Sequence, residues 1–353
     1  MNNLEETLLT ESLVENSNND KQDIDNMIST SKKHYKKDEK NSSKKIKLSN
    51  SNNSTKKISI NENSKRLNEE LLEMLEKMEN LMKKQGDFIR SRIYSRAQDT
   101  ILSFEGDITD INQLEGKPNI GPTIMAKMNE YVKTGTLMVL EREKENPVNW
   151  LTEIHGIGPK KAKDLVDKGI TTIEQLREKK EELLNNVQKI GLHYYEDTNK
   201  RIPREEIDEY KKMFDKEFKK LANADSKYEI VGSYRRGART SGDIDVIITS
   251  KNQDIFKTFV DSMKDTGIIL EILSYGNTKA LVIAKLQDKP TARRVDFLYS
   301  PPEEYPFAVL YFTGSKAFNT VMRGYALRMG VSLNEHGFYE KQKGKEKGEK
   351  LKK

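Results

Sequence analysis

Two acidic residues stand at the head of an apolar run that is typical of a buried β-strand, Asp243-Ile244-Asp245 followed by Val246-Ile247-Ile248. Side chains at positions i and i+2 of a strand point to the same face of a sheet, so these carboxylates are predicted to lie side by side. A third acid, Asp296, lies inside another apolar run. Burying carboxylates costs several kcal/mol unless a cation compensates their charge. The chain is therefore predicted to form a sheet that presents three carboxylates to a bound cation.

A glycine–serine turn precedes the first two acids. Gly232-Ser233 is separated from Asp243 by nine residues. Such a turn leaves backbone N–H groups and a hydroxyl free to bind a phosphate, and Arg235 and Arg236 add positive charge. Carboxylate oxygens together with substrate phosphates are the ligands that Mg²⁺ prefers. A lone Asp-x-Asp is more often a solvated turn, but in this combination it indicates nucleotidyl transfer.

The chain changes character along its length. Residues 1–62 are dominated by Asn, Ser, Lys and Asp and are predicted to be a disordered tail. Two basic clusters in it, Lys32 to Lys37 and Lys44 to Lys47, are read either as a nuclear-localisation or DNA-contacting arm or as a solubilising segment. From about Ser64, apolar residues recur at helical spacing, and one helical segment is predicted to continue through Ile89 and Tyr94 to Phe104.

A near-repeat follows. Pro118-Asn119-Ile120-Gly121-Pro122 and His155-Gly156-Ile157-Gly158-Pro159 each precede a predicted helix. Each copy predicts a helix, a tight turn and a second helix, and the second helix begins with exposed N–H groups. Such a hairpin can contact a DNA phosphate through these amides, often with a bound monovalent cation. A single copy could equally be a plain helical hairpin, but two copies favour DNA binding.

After Pro203 the pattern changes to that of strands, with one helix predicted over Asp254 to Met263 and a last helix around Ala317 to Met329. The predicted strands are Tyr228–Val231, Ile244–Ile248, Leu270–Leu273, Ala280–Ile283 and Arg294–Leu298. The fold class is therefore predicted to be α+β, with helices first and a sheet domain after them.

Composition excludes several classes of function. The chain has no cysteine, which excludes disulfides, thiolate catalysis and cysteine-based metal sites. No apolar run reaches the roughly 18 residues of a membrane span, and the acidic N-terminus is no secretory signal. A net charge of +6 is compatible with a polyanionic partner. We expect an intracellular, soluble monomer without membrane association, with the nucleus, a viral factory or a virion as alternative locations.

The segment VGSYRRGARTSGDIDVIIT (Val231 to Thr249) resembles the palm motif of the family X DNA polymerases, the DNA polymerase beta type in particular. The resemblance continues through KRIPREE, RRVDF, LYFTGSKAFN and SLNEHG and covers roughly residues 75–338. It implies a helical lyase-like domain over 63–145 and a fingers-type subdomain over 146–222, each with one hairpin. A nucleotidyltransferase palm over 223–305, a small thumb over 306–340 and a polar tail over 341–353 complete the implied domains.

The resemblance also implies roles for the acids. Asp243 and Asp245 would ligate two Mg²⁺ ions, for which Mn²⁺ can substitute, and Asp296 would ligate the one that holds the primer 3′-hydroxyl. Arg294 would neighbour the aspartates and tune them. A further set would contact the incoming nucleotide: Arg201, Ser233, Arg236, Gly242, Tyr311, Phe312, Gly314, Asn319 and Arg323.

DNA contacts are implied at both hairpins. In the second, Na⁺ or K⁺ would be held by the carbonyls of Thr152, Ile154 and Ile157. Lys127 falls at the family's Schiff-base lysine, which removes 5′-deoxyribose phosphate, although Thr123 and Val139 stand where basic residues are usual. The residues implied to bind DNA are Gly121, Gly156, Gly158, Lys160, Arg90 and Tyr94.

Two further departures concern Lys316, which replaces an acid common beside the incoming base, and His336, which replaces a common aromatic residue. The chain also ends soon after Phe338-Tyr339, so an incomplete or unusual thumb is expected. The predicted function is gap-filling synthesis on gapped or nicked DNA from dNTPs, with associated lyase activity. A template-independent nucleotidyltransferase and a non-catalytic DNA-binding scaffold are the alternatives. The short turn Ser274 to Thr278 favours templated synthesis, since template-independent relatives carry a long loop in the palm.

Overall fold

A computed structural model describes residues 66–340 of the chain. The predicted tails over residues 1–62 and 341–353, with the two basic clusters, lie outside the described residues. No helix within residues 66–340 combines the length and the apolarity needed to cross a membrane.

The N-terminal helices form their own hydrophobic core. It is built around Leu71, Leu75, Met78, Ile101 and Met128, all almost fully buried. The elements are α1 (Asn68–Lys84), α2 (Phe88–Leu102), a 3₁₀ turn (Ile111–Leu114), α3 (Pro122–Thr134), α4 (Met138–Arg142) and a second 3₁₀ turn (Glu143–Glu145).

A helix does run through Ile89 and Tyr94, but its predicted continuity with the preceding helical segment was wrong. The chain turns at Gly86, whose φ of +77° lies in the left-handed region that favours glycine. A new helix then begins at Phe88, where the Asp87 side chain accepts a hydrogen bond from the backbone N–H of Arg90 at 2.9 Å. Apolar spacing continues across the turn and therefore hides the break.

A second group of short helices packs around Leu151, Ile157, Ala162, Leu165 and Leu192. They lead into a long amphipathic helix whose apolar face packs on the sheet domain that follows. These elements are α5 (Pro147–Leu151), α6 (Pro159–Asp167), α7 (Ile173–Glu178), α8 (Lys180–Leu183), α9 (Asn186–His193), α10 (Tyr195–Thr198) and α11 (Arg204–Leu221).

The sheet domain contains a mixed five-stranded sheet with the strand order β2-β4-β7-β6-β5. Strands β4 and β7 are parallel and central, and the other pairs are antiparallel. The strands are β2 (Lys227–Ile230), β4 (Ile244–Thr249), β5 (Ile269–Tyr275), β6 (Lys279–Ala284) and β7 (Arg293–Tyr299). A separate two-stranded pair joins β1 (Ile202–Pro203) to β3 (Thr240–Ser241), and α12 (Gly232–Arg235) and α13 (Asp254–Asp265) lie between strands.

The C-terminal part of the described chain consists of two helices and a hairpin. These are α14 (Tyr305–Thr313), α15 (Lys316–Arg328), β8 (Val331–Asn334) and β9 (Gly337–Glu340). The fold class is α+β, as predicted, and each of the five predicted strands overlaps an observed one. The helix α14 and the β8–β9 hairpin were not predicted.

Candidate active site

The parallel pairing of β4 and β7 brings the predicted acids together. In the register of these strands, Asp245 lies directly opposite Asp296. Asp243 immediately precedes β4, and the guanidinium of Arg294 pairs with it through Nη2. The Nε atom of Arg294 lies 3.6 Å from Oδ1 of Asp296. One arginine therefore lies between two of the three carboxylates.

Burial and mutual repulsion alter the protonation of these acids. Burial, with the nearby charges of Asp243 and Asp296, raises the pKa of Asp245 to about 7. Burial also raises the pKa of Asp296, although Arg294 opposes this effect. The raised pKa values of Asp245 and Asp296 show that Arg294 only partly offsets the burial and mutual repulsion of these carboxylates.

Gly232 brings the phosphate-binding turn against one of these acids. Its φ is +60°, and a Cβ atom built on it would lie 2.4 Å from Oδ2 of Asp245. The backbone N–H of Val231 also donates to the carbonyl oxygen of Asp245 at 2.8 Å. Glycine is therefore required here for steric as well as conformational reasons.

The donor set suits a divalent cation. Oδ1 of Asp296 and Nε of Arg294 are buried without a hydrogen-bond partner within the described chain. As the side chains stand, no set of three His, Cys, Asp or Glu residues between positions 66 and 340 is spaced to hold a metal ion. A divalent ion bound by all three carboxylates would supply the charge that Arg294 compensates only in part.

A cleft of about 920 Å³ opens beside the acids. Asp243 and Asp245 line it, and so do all nine residues predicted to contact the nucleotide. Gly232 of the predicted phosphate-binding turn and Lys316, expected beside the incoming base, also line it. Residues that were not predicted complete the lining: Ser95, Asp99, Ser103, Ser315, Thr320, Gly324 and Leu327. The first three belong to the helix α2 of the N-terminal core or to its C-terminal end, so that core forms part of the wall.

Hydrogen bonds hold the basic residues of this cleft in place. Arg201 donates through Nη2 to the carbonyl oxygen of Thr240 at 2.6 Å and lies over Gly242, where a Cβ would be 3.4 Å from Nη1. Arg236 donates to the carbonyl oxygen of Thr313 at 2.7 Å. This contact joins the Gly-Ser turn to the end of α14.

The other predicted nucleotide contacts are also fixed by neighbours. Ser233 hydrogen-bonds the hydroxyl of Ser241 at 2.7 Å, and the Asn319 amide donates to the carbonyl oxygen of Tyr311 at 2.7 Å. The Arg323 guanidinium lies 5.9 Å from the centroid of the Tyr311 ring, which packs edge-on against Phe312.

The two hairpins repeat in detail. Gly121 and Gly158 are the N-caps of α3 and α6, with the same φ of −86° and ψ of 173°, and each is followed by proline. The turn residue two positions earlier is left-handed in both, with φ of +61° at Asn119 and +85° at Gly156. Asparagine tolerates this conformation better than most residues, so the first hairpin keeps its shape without glycine.

A cavity of about 490 Å³ adjoins the second hairpin, and Thr152, Ile154 and Ile157 line it together with Arg294. The carbonyl oxygen of Ile154 already accepts a hydrogen bond from the N–H of Ile157 at 3.0 Å. Lys160 is exposed in the first turn of α6.

Lys127 lies in α3, six residues after Gly121, and is half-buried. Its amine forms no hydrogen bond or ion pair with any residue from 66 to 340. Arg90 is exposed and pairs with Asp87, whereas Tyr94 is 6% exposed and lies in the N-terminal core. Burial raises the pKa of the Tyr94 hydroxyl.

A sheet with acids on two paired strands, a Gly-Ser turn against them and a cleft lined with arginines defines a nucleotidyltransferase fold. Four family models match successive parts of the chain. They describe a helix-hairpin-helix domain over residues 66–137, the fingers domain of DNA polymerase lambda over 149–199, the DNA polymerase beta palm over 201–302 and the DNA polymerase beta thumb over 308–352. The chain belongs to the family X DNA polymerases, which confirms the predicted family.

Individual relatives agree with this assignment. DNA polymerase lambda of Arabidopsis thaliana is 30% identical over 293 residues, which are 77% of this chain and 54% of the relative. DNA polymerase lambda of Rattus norvegicus is 33% identical over 279 residues, 76% of this chain and 48% of the relative. DNA nucleotidylexotransferase of Xenopus laevis is 26% identical over 298 residues, 72% of this chain and 59% of the relative. The chain thus spans about half the length of the curated relatives it matches.

Proposed function

We propose that this protein is a template-directed DNA polymerase that fills short gaps, transferring a dNMP unit from a dNTP to a primer 3′-hydroxyl. The observation that carries the proposal is the register of β4 and β7, which places Asp245 opposite Asp296 beside a cleft lined with arginines. Nucleotidyl transfer needs acids that hold divalent ions and cations that hold a triphosphate, and this site offers both.

Each group in the site has a role in this reaction. Asp243, Asp245 and Asp296 would hold Mg²⁺, with Mn²⁺ as a substitute, which when bound acidifies the primer hydroxyl and neutralises the leaving pyrophosphate. Arg294 compensates the acids before the ions bind. Ser233, the amides of its turn, Arg236 and Arg201 would bind the triphosphate. Tyr311 and Phe312 would lie against the sugar and disfavour a ribose 2′-hydroxyl.

The two hairpins would bind the DNA backbone. Both present a helix N-terminus whose free N–H groups can bind a backbone phosphate, at Gly121 and at Gly158, and Lys160 adds positive charge beside the second. We infer that Na⁺ or K⁺ binds the carbonyls of Thr152, Ile154 and Ile157 and joins the second hairpin to a phosphate. Contacts to phosphates do not distinguish one base from another. DNA binding should therefore depend on the presence of a gap and not on the base sequence around it.

Templated synthesis is favoured over template-independent addition by the turn between β5 and β6. The backbone N–H of Gly276 donates to the carbonyl oxygen of Lys279 at 2.8 Å, which closes a short turn. Only residues 276–278 connect the two strands, so this connection is not a long loop. One of the relatives is a DNA nucleotidylexotransferase from Xenopus laevis, so template-independent addition is the alternative to test.

Primer extension across a one-nucleotide gap tests the proposal. With Mg²⁺ present, we expect insertion of the nucleotide complementary to the template, and faster insertion when the gap carries a 5′-phosphate. Asp296→Asn should lower the rate by about 1,000-fold, since a misplaced catalytic ion costs several kcal/mol of transition-state stabilisation. The matched control is Asp288→Asn, which changes an exposed acid in the loop before β7.

The outcomes separate the candidate functions. Insertion that ignores the template base would favour the template-independent transferase. Binding of gapped DNA without any extension, in wild type and in Asp296→Asn alike, would favour the non-catalytic scaffold.

A second activity is supported by Lys127. Its amine has no partner in the described chain and follows a phosphate-binding hairpin, so it is free to attack the sugar aldehyde of a 5′-deoxyribose phosphate. We propose that the helical domain removes this group by Schiff-base chemistry before the gap is filled.

A further inference from the structure

Glu79 is a charged residue in the interior of the N-terminal core. Its side chain is only 4% exposed, although it lies on α1 among apolar neighbours. Three donors compensate it: Lys83 at 2.6 Å, Gln98 at 2.8 Å and Lys316 at 2.5 Å. The first two belong to the N-terminal helices, whereas Lys316 is the first residue of α15, which is 237 positions away in the chain.

The interface that this ion pair crosses is loosely packed. A cavity of about 380 Å³ lies between the two sides, with Leu72 and Leu102 on one side and Ala317 and Thr320 on the other. Apolar packing is therefore incomplete here, and the charged contact contributes a larger share of the attraction between the N-terminal helices and α15.

Lys316 also lines the 920 Å³ cleft, whereas Glu79 does not line it. Ser95 and Asp99 of α2 line the same cleft. The ion pair thus joins the N-terminal wall of the cleft to the wall formed by α15, and a change at Glu79 can reach a bound nucleotide only through another residue.

We propose that Glu79 is a positioning residue of the nucleotide cleft, which holds Lys316 and thereby couples docking of the N-terminal helical domain to binding of the incoming nucleotide. This inference rests on the proposed polymerase function. Burial alone would raise the pKa of Glu79, but the hydrogen bonds from Lys316, Lys83 and Gln98 outweigh it and lower that pKa. The carboxylate is therefore ionised whenever the enzyme works near neutral pH.

Two lysines on the same carboxylate give a matched comparison. Lys83→Met and Lys316→Met each remove one ammonium from Glu79, and both lysine side chains are 50% exposed. Each variant leaves one lysine on the carboxylate, so neither leaves it without a cation. Only Lys316→Met breaks the contact between domains.

Steady-state gap filling is the first measurement. We expect Glu79→Gln and Lys316→Met to raise the KM for dNTP about fivefold or more, in the range of ordinary coupling between sites, with a smaller change in kcat. Lys83→Met should leave the KM unchanged. In the double variant Glu79→Gln/Lys316→Met the effects should overlap and not add, because both changes remove one interaction.

A distance measurement is independent of activity. The chain has no cysteine, so spin labels can be attached to Met138→Cys and Met329→Cys, at positions that are 77% and 66% exposed. We expect the distance distribution to broaden in Glu79→Gln and Lys316→Met but not in Lys83→Met.

Unchanged KM and distances in Glu79→Gln would overturn the inference, and so would an equal effect of Lys83→Met or strictly additive effects in the double variant. If the wild type extends no primer, the polymerase proposal fails, and the label distances alone then decide whether Glu79 holds the two walls together.

Discussion

Oδ2 of Asp245 occupies the space that a side chain at Gly232 would need: a Cβ atom there would lie 2.4 Å away. The turn proposed to bind the triphosphate and the acid proposed to bind metal are therefore positioned by one contact. Gly232→Ala should displace the carboxylate and slow primer extension by about 100-fold, as expected for a shift of about 1 Å at a reacting centre.

The control for this substitution is Gly237→Ala. Gly237 has a comparable left-handed φ of +81°, but a Cβ atom added to it would meet nothing within 4 Å. It shares the backbone strain and lacks the contact with the carboxylate. Equal losses of activity in the two variants would show that strain, and not displacement of Asp245, is responsible.

Two consecutive arginines of β7 face opposite sides of the sheet and should behave differently. Arg293 is 6% exposed and forms two hydrogen bonds of 2.7 Å with the buried carboxylate of Glu206. Arg293→Met should lower the free energy of unfolding by about 3–5 kcal/mol, because it leaves the charge of Glu206 buried without a partner. Denaturant unfolding measures this loss.

Arg294→Met, in contrast, should change how much Mg²⁺ stabilises the protein. The guanidinium of Arg294 competes with a metal ion for Asp243 and Asp296, so its removal should increase the stabilisation that Mg²⁺ gives in thermal unfolding. Arg293→Met should show the same Mg²⁺ increment as the wild type. An identical increment in both variants would contradict the assignment of Arg294 to the metal site.

Because of Glu79, we expect the stability of the folded chain to fall at acid pH. Its pKa in the folded chain lies below the ordinary 4.5, so the unfolded chain binds the proton more readily between these two values. The stability that Glu79 contributes is therefore present at neutral pH and is lost as pH falls below about 4.5. Glu79→Gln should cost roughly 2 kcal/mol at pH 7, and this difference from wild type should shrink toward pH 3. The control is Glu76→Gln, which removes an exposed carboxylate of α1 and should cost less stability at pH 7 than Glu79→Gln.

Lys127 predicts a covalent adduct. Borohydride reduction in the presence of a 5′-deoxyribose phosphate end should trap the wild-type protein on DNA, because it reduces the Schiff base to a stable amine. Lys127→Ala should abolish most of the trapping. Lys133→Ala, at an exposed lysine in the last turn of α3, should trap normally. Equal yields from the two variants would remove Lys127 from the chemistry.

The central sheet could be read from the sequence because its strands are short apolar runs bounded by polar turns. Each of the five predictions overlaps the observed strand, and the helix predicted from Asp254 begins there. The helix α14 was missed because YPFAVLYFT is apolar on nearly every side and shows no helical period. The break at Gly86 was missed for the opposite reason, since the apolar period continues across it.

The sequence does not show which residues of the N-terminal helices lie close to the nucleotide cleft. Motif order identified all nine predicted nucleotide contacts that line the cleft, but gave no sign that Ser95, Asp99 and Ser103 line it too. Glu79 looks in the sequence like one more polar residue of an amphipathic helix. Its burial and its pairing with Lys316 depend on how two distant segments dock.

The sheet contains strands whose register must be kept and a connecting turn whose length can change. Asp245 and Asp296 face each other only while β4 and β7 stay in step, and a one-residue insertion in either strand would turn an acid to the opposite face. The β5–β6 turn joins the edge strand to its neighbour and contacts β7 through Thr278, whose carbonyl oxygen accepts a hydrogen bond from the N–H of Tyr299. Residues added before Thr278, at Gly276, should therefore leave the pairing of β4 with β7 unchanged. Inserting a flexible loop of increasing length at Gly276 should therefore relax the proposed template dependence while the chemical centre is preserved.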